Sequence, residues 1–131
     1  MAGLVAARHI LLVEDEYMIA HEIAFDLALL GVIPVGPVAT LQGAMALLKR
    51  FDRLDGAVLD INLQGEMVYP LAEKQKALGV PFIFTTGYDQ GRIPTQYAKV
   101  KRCEQPVPSQ QVLQTLFSVM EAKKMLSAAF A

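Results

Sequence analysis

The chain has 131 residues, of which 53% are hydrophobic, so we expect one domain with a full core and exclude a disordered protein. Twelve Lys and Arg balance thirteen Asp and Glu, which argues against a nucleic-acid partner, because such proteins usually present a basic surface. No apolar run approaches the roughly 18 residues that span a bilayer, and we expect no membrane partner. The single Cys103 cannot form an internal disulfide, which favours a cytoplasmic protein.

The predicted elements of the first half alternate between apolar strands and amphipathic helices. Residues 9–14 predict a first strand, and Gly31 predicts the end of the helix that follows it. The inner side of that helix is a set of apolar residues at helical spacing: Ile19, Ile23, Leu27 and Leu30. Residues 32–38 predict a second strand at the edge of a sheet, because their prolines cannot donate to a central ladder. Thr40 then stands where it can cap a second helix.

The second half continues the same alternation. Residues 57–61 and 81–86 predict two buried strands, and residues 66–78 predict the helix between them. The residues that this helix should bury are Leu71, Ala72 and Leu78. A short helix near 94–98 and a weak strand at 99–104 follow. The last helix should bury four apolar residues of one face: Leu113, Leu116, Phe117 and Met120.

Five strand–helix repeats predict an α/β fold. Strands that are apolar throughout, separated by amphipathic helices, indicate a parallel sheet covered on both faces. We expect a flavodoxin-like, doubly wound (βα)5 fold with the strand order 2-1-3-4-5. The prediction is a single domain over residues 1–131, with its core at about 8–122 and no output domain.

Acidic and polar side chains follow the carboxyl ends of the predicted strands, where such sheets gather their chemistry. Glu14 and Asp15 follow the first strand, Asp60 ends the third and Thr86 ends the fourth. Because strands 1 and 3 should be neighbours, the three carboxylates should converge. Two carboxylates about 4 Å apart repel by roughly 4 kcal/mol at an effective dielectric of 20. We therefore expect a divalent cation among them, and Mg²⁺ fits such oxygen ligands.

Four segments resemble the CheY-like receiver domains of two-component response regulators. They are VEDE (13–16), LDINLQGE (59–66), PFIFTTGY (81–88) and QP (105–106). Each falls at the end of the corresponding strand and in the corresponding order. The resemblance covers roughly residues 8–122 and implies a receiver that signals within a phosphorelay.

The resemblance implies a role for each of these residues. Asp60 would be the phospho-acceptor, and Thr86 would contact the phosphoryl group. Mg²⁺ would be held by the carboxylates of Glu14, Asp15 and Asp60 and by the backbone carbonyl of Asn62. The donor would be a sensor histidine kinase or a phosphotransfer protein, and the downstream protein target stays unknown. The chain would be no enzyme beyond slow self-dephosphorylation, and a homodimer is left open.

Two positions depart from the family pattern. Gln105 stands where members usually carry a Lys that contacts the acceptor carboxylate, and a glutamine brings no charge. Lys101 is too far along the strand to replace that Lys, which leaves Arg92 as a weaker candidate. Arg102 stands where many receivers place an aromatic residue that turns inward, and an unpaired Arg cannot be buried in that way. A cis peptide is expected before Pro106.

These departures leave alternatives open. A degenerate receiver would keep the fold but accept phosphate weakly or not at all, and would interact constitutively. A small phosphatase of the haloacid-dehalogenase-like fold is less favoured, because its nucleophile strand usually comes first and carries a second Asp two residues on, where this chain has Asn62. A flavodoxin-like electron carrier would need a phosphate-cradling loop after strand 1, where this chain has three acids.

Overall fold

A computed structural model describes residues 8–51, 53–87 and 93–129. The elements in chain order are β1 (His9–Val13), α1 (Tyr17–Leu29), β2 (Ile33–Val38), α2 (Leu41–Leu48), β3 (Gly56–Asp60), β4 (Asn62–Leu63), β5 (Glu66–Met67), α3 (Tyr69–Ala77), β6 (Phe82–Thr86), a 3-10 helix (Thr95–Tyr97), β7 (Arg102–Glu104) and α4 (Ser109–Ala129).

Five of the strands form one parallel sheet in the order β2-β1-β3-β6-β7. Counted within this sheet alone, the order is 2-1-3-4-5, which confirms the predicted flavodoxin-like fold. β1 and β3 are direct neighbours, with Val13 paired to Leu59 at their carboxyl ends. The residues that follow β1 therefore lie beside Asp60, the last residue of β3.

Side chains of the central strands alternate between two cores. On β1, Leu11 and Val13 pack with α2, α3 and the 3-10 helix, whereas Ile10 and Leu12 pack with α1 and α4. Both faces of the sheet are thus covered, as the apolar strands predict. Gly56 allows α4 a close approach, because a Cβ at this position would lie 2.9 Å from the sulfur of Met120.

The edge strand β2 is irregular, and its irregularity reaches the site. Gly36 has φ 104°, and a Cβ there would lie 2.7 Å from the carbonyl oxygen of Leu12, so only glycine fits. The pairing register between β1 and β2 shifts at this point. After the shift, the carbonyl of Val38 accepts a hydrogen bond from the backbone amide of Glu14 at 2.9 Å. The bulge thus fixes the backbone that carries the first acid.

The helix predicted at 66–78 begins three residues late. Residues 62–67 form the antiparallel hairpin β4–β5, with Gln64 and Gly65 at positive φ in its turn. The side-chain oxygen of Asn62 accepts from the amide of Gly65 at 2.6 Å and closes this turn. A short Asx-type turn therefore forms here instead of the first turn of the helix.

Two residues predicted to be buried are exposed. Leu30 and Leu78 lie just past the last residues of α1 and α3, where the chain turns through Gly31 and Gly79 at positive φ. Each of these helices ends one residue before its apolar sequence pattern does. The expected N-cap is present, with the hydroxyl of Thr40 accepting from the amide of Gly43 at 3.0 Å.

The connection between β6 and β7 holds a single 3-10 turn, Thr95–Tyr97, in its described part, close to the short helix predicted near 94–98. β7 begins at Arg102 and is shorter than the predicted strand at 99–104. α4 continues to Ala129, although its last buried residue is Met120. None of the helices in the described ranges combines the length and apolar character needed to cross a membrane.

Candidate functional site

Three carboxylates meet where β1 and β3 end. Glu14 and Asp15 follow β1 directly, and Asp60 is the last residue of β3. One carboxylate oxygen from each of the three lies within 4.8 Å of those from the other two. The structure therefore brings together the three acids that the strand order predicts to converge.

Two of these acids are withdrawn from solvent. Glu14 is 3% exposed and Asp60 is 6% exposed, whereas Asp15 is partly buried. Backbone amides give each buried carboxylate one partner: Glu16 donates to Glu14 at 3.1 Å, and Asn62 donates to Asp60 at 3.2 Å. Asp60 thus lies at the floor of the site, held by the turn that follows its own strand.

Burial and crowding change the acidity of the site. Burial, with the nearby charge of Glu14 adding to it, raises the pKa of Asp60 to about 9. Burial also raises the pKa of Glu14 above its usual value. At neutral pH the acids alone therefore retain a proton, and a cation beside them would favour their ionised forms.

The residues present fit a hard divalent cation. Three carboxylate oxygens at this separation are the kind of ligands that Mg²⁺ takes in proteins, usually together with water. The predicted fourth ligand, the backbone carbonyl of Asn62, belongs to the turn that holds Asp60. Its role as a ligand stays a prediction.

Gln105 lies in the site but contacts Glu14. Its side-chain amide donates to a carboxylate oxygen of Glu14 at 3.0 Å, and its backbone amide donates to the carbonyl of Thr86 at 2.8 Å. The peptide before Pro106 is cis, as predicted. The amide therefore orients one acid of the cluster and supplies no positive charge.

Of the other two candidates for a positive charge, the structure describes only Lys101. Lys101 is exposed, and its carbonyl accepts from the backbone amide of Phe84 in the middle of β6, so it lies away from the sheet edge. Arg92 lies outside the described residues. Apart from the neighbouring carboxyl groups, the described groups that hydrogen-bond Glu14 and Asp60 are backbone amides and the side chain of Gln105.

Two adjacent threonines end β6 and differ in their surroundings. Thr86 is the last residue of the strand, at the same sheet edge as the acids, and its contact with a phosphoryl group stays a prediction. Thr85 is fully buried, pairing in register with Asp60 on one side and Cys103 on the other. Its hydroxyl has no hydrogen-bond partner among the described residues.

Arg102 points away from the interior, and a different residue supplies a buried aromatic ring. Tyr97 is 1% exposed and stacks on Tyr69, with ring centroids 5.3 Å apart. It also meets the edge of Phe84 at 5.7 Å, and its hydroxyl donates to Glu73 at 2.7 Å. Sequence patterns miss this cluster because tertiary contacts alone join its members.

The outer side of α1 carries large exposed apolar residues. This α1 face consists of Tyr17, Met18, Phe25 and Leu29, and the exposed Leu30 follows directly after the helix. Its end adjoins a cavity of about 350 Å³ between α1 and α4, lined mainly by Leu29, Leu30, Leu113 and Phe117. Ser109, the first residue of α4, contacts the carboxylates of Glu22 and Asp26 and joins the two helices. Large apolar side chains exposed together on one helix suit contact with another protein.

Several solved structures are similar to this chain along almost its whole length. The solution structure of SdrG from Sphingomonas melonis Fr1 is 31% identical, with a TM-score of 0.77, and covers 89% of this chain and 98% of that chain. The BeF3-activated conformation of SdrG from Pseudomonas melonis Fr1 is 32% identical, with a TM-score of 0.67, and covers 85% and 98%.

A response regulator receiver domain protein (CheY-like) from Methanospirillum hungatei JF-1 shares 22% identity, has a TM-score of 0.79 and covers 92% of this chain and 98% of that chain. At that identity the likeness concerns the fold. No protein-family model matches the sequence, and no curated protein matches it.

Proposed function

Because this chain belongs to the CheY-like receiver domains of response regulators, we propose that it accepts a phosphoryl group on Asp60 from a sensor histidine kinase or phosphotransfer protein. The observation that carries the proposal is the meeting of Glu14, Asp15 and Asp60 at one end of the parallel sheet. The chain then signals through protein–protein contacts in the cytoplasm, a setting with which the free, buried Cys103 agrees.

The reaction is a transfer between two protein side chains. A carboxylate oxygen of Asp60 attacks the phosphorus of a phosphohistidine, the P–N bond breaks, and its electron pair returns to the imidazole. The product is an acyl phosphate on Asp60. A bound Mg²⁺ supplies positive charge that offsets the charge on the phosphoryl oxygens.

The chain's own residues prepare Asp60 for this attack. The amide of Asn62 holds one oxygen of Asp60, which leaves the other for the incoming phosphorus. Gln105 and the amide of Glu16 hold the two oxygens of Glu14. We expect the hydroxyl of Thr86, the last residue of β6, to donate to a phosphoryl oxygen once it arrives.

The exposed α1 face supplies a docking surface for the donor. Its large apolar side chains lie on the helix that begins directly after Glu14 and Asp15, so a helix packed there stands close to Asp60. Helix-in-groove contacts of this kind use apolar anchors at helical spacing, such as Phe25 and Leu29. A protein donor would use this surface, whereas a small-molecule donor would not need it.

A degenerate receiver is the second candidate function. The observation that favours it is Gln105, whose neutral amide bonds Glu14 in place of a charged contact to the acceptor. A phosphatase is the weakest candidate, and we expect no turnover of a chromogenic phosphate ester.

Labelling with a small acyl phosphate separates these functions. We expect label on the wild type only with Mg²⁺ present, no label on Asp60→Asn, and faster labelling of Gln105→Lys. Label on Gln105→Lys but not on the wild type would establish the degenerate receiver. Equal labelling of wild type and Asp60→Asn would contradict Asp60 as the acceptor. Binding of beryllofluoride, the group in the activated SdrG structure, gives a second readout that needs no chemical turnover.

A further inference from the structure

The near-neutral net charge of the chain conceals two ends of opposite sign. Where the strands end, the described acids gather: Glu14, Asp15, Glu16, Asp60, Glu66 and Glu104. Where the strands begin and the helices finish lies the basic end, which consists of Arg8, Lys49, Arg50, Arg53, Lys74, Lys76, Lys123 and Lys124. Of the described acids, Asp55 and Glu121 line the cavity at the basic end, and Asp26 stands in the last turn of α1. The chain-wide balance that argued against a nucleic-acid partner averages over these two ends.

The basic end surrounds a cavity of about 900 Å³. The cavity lies between the starts of β1 and β3, the chain after α2, the end of α3 and the last turns of α4. Its apolar lining includes Phe51, Leu54, Val80 and Met120, and its cationic lining consists of Arg8, Arg53, Lys123 and Lys124. Volume and lining together suit an apolar group attached to an anionic one.

Compensation of helix dipoles explains part of this charge. Lys74 and Lys76 stand in the last turn of α3, and Lys123 donates to the carbonyl of Gly79 just beyond that helix. Arg8 and Arg53 belong to no helix, yet both line the cavity. The acids Asp55 and Glu121 also line the cavity, so its four cations leave a net lining charge of +2.

Exposed aliphatic side chains accompany the charge. α4 continues for nine residues past Met120, its last buried residue, and exposes Met125 and Leu126 beside Lys123 and Lys124. Leu78, which lines the cavity, is also largely exposed. Aliphatic groups next to lysines and arginines are the combination that peripheral proteins insert at the surface of an anionic bilayer.

We propose that the basic end docks on an anionic lipid surface, with Leu78, Met125 and Leu126 entering the boundary of the acyl chains. The lysines and arginines then bind headgroup phosphates, and the cavity has room for part of an acyl chain. Nucleic acid is the less suitable anion, because the exposed apolar groups here are aliphatic and offer no stacking surface to bases.

The separation of the two ends along the strands also keeps the acidic site away from the lipid surface. A strand of five residues spans about 17 Å at about 3.3 Å per residue, and the loops add to this separation. The surface potential decays with a Debye length of about 8 Å at physiological ionic strength. The acids therefore lie beyond the repulsion of anionic headgroups and face a donor protein on the far side.

Co-sedimentation with vesicles tests this docking. We expect the wild type to bind vesicles of phosphatidylglycerol mixed with phosphatidylcholine, to bind less as salt rises, and to ignore pure phosphatidylcholine. The double substitution Lys123→Glu with Lys124→Glu, which reverses two charges, should lower vesicle binding about tenfold or more. Each cation near an anionic surface raises membrane affinity about fivefold. The matched control, Lys99→Glu with Lys101→Glu, changes the net charge equally at exposed positions that do not line the cavity, and it should lower binding far less.

Lys123 also contacts the carbonyl of Gly79, so its substitution could disturb folding. A second variant therefore tests the docking without changing Lys123. Met125→Ser with Leu126→Ser keeps the charge and alters only exposed side chains, and it should also lower vesicle binding. Equal binding to neutral vesicles, an equal loss in both charge-reversed pairs, or tighter binding to duplex DNA or polyglutamate than to anionic vesicles would overturn the proposal. Asp60→Asn should bind vesicles as the wild type does, so failure here and failure of phosphorylation are separate results.

Discussion

At the scale of single residues, Asp60 carries opposing requirements. As the proposed phospho-acceptor it must be ionised to attack phosphorus, yet burial and the charge of Glu14 raise its pKa to about 9. The folded, metal-free protein therefore binds a proton on Asp60 more tightly than the unfolded chain does. The resulting stability is fully present below the unfolded pKa, about 3.8, and is lost as the pH rises toward the folded pKa.

We therefore expect Asp60→Asn to stabilise the metal-free protein increasingly as the pH rises. The gain should begin above the unfolded pKa of about 3.8 and grow by up to about 1.4 kcal/mol per pH unit until the folded pKa of about 9. Urea unfolding with a chelator present, compared between the two proteins, measures this difference. Saturating Mg²⁺ should reduce it, and a gain that does not change with pH would contradict the raised pKa.

Thr85 offers a second test at this scale. Its hydroxyl is fully buried and has no partner among the described residues, so it pays a desolvation cost without a hydrogen bond. Thr85→Val has nearly the same shape and should raise the free energy of unfolding by about 1 kcal/mol. The matched variant Thr86→Val, one residue on, should instead shorten the lifetime of the phosphorylated state. A loss of stability in Thr85→Val would show that its hydroxyl is bonded.

At the scale of elements, Tyr97 links the chain between β6 and β7 to α3. Its ring packs between Tyr69 and Phe84, and its hydroxyl reaches Glu73. Tyr97→Phe should lower the free energy of unfolding by about 1 kcal/mol, and Tyr97→Ala by about 3–5 kcal/mol, because the second change also leaves a cavity. Tyr17→Phe, at a highly exposed position, should leave denaturant unfolding unchanged. A Tyr97→Ala protein as stable as the wild type would contradict the packing.

The α1 face should affect transfer from proteins and not from small molecules. Phe25→Ser with Leu29→Ser alters exposed side chains, so stability should stay within about 0.5 kcal/mol of the wild type. Phosphotransfer from a phosphorylated donor protein should slow about tenfold or more, while labelling by a small acyl phosphate stays unchanged. Leu78→Ser, on the far end of the domain, is the control and should leave both rates intact. Equal slowing with both donors would place the defect in the acidic site instead.

At the scale of the whole molecule, local patterns predict the order of the elements and the edge at which the acids meet. Apolar strands, the helix end at Gly31 and the helix cap at Thr40 carry that information within a few residues. The sequence does not predict the β4–β5 hairpin, because the Asx turn at Asn62 and a helical pattern overlap in the same residues. The strand ends also indicate that Glu14 and Asp60 converge, but not how deeply they are buried.

What the sequence does not predict depends on contacts between distant segments. The bond from Gln105 to Glu14 joins residues 91 positions apart, and the ring of Tyr97 meets partners from two other elements. The opposite charge of the two ends is likewise absent from the net charge of −1 and emerges only once the strands are aligned.

The central claim, that Asp60 takes the phosphoryl group, is tested most directly by trapping the product. After treatment with a small acyl phosphate and Mg²⁺, reduction with borohydride converts a phosphorylated aspartate into homoserine, which mass spectrometry locates in the sequence. We predict homoserine at position 60, and none when Mg²⁺ is omitted. Homoserine at another acidic position, or none in a protein that has taken up phosphate, would contradict the claim.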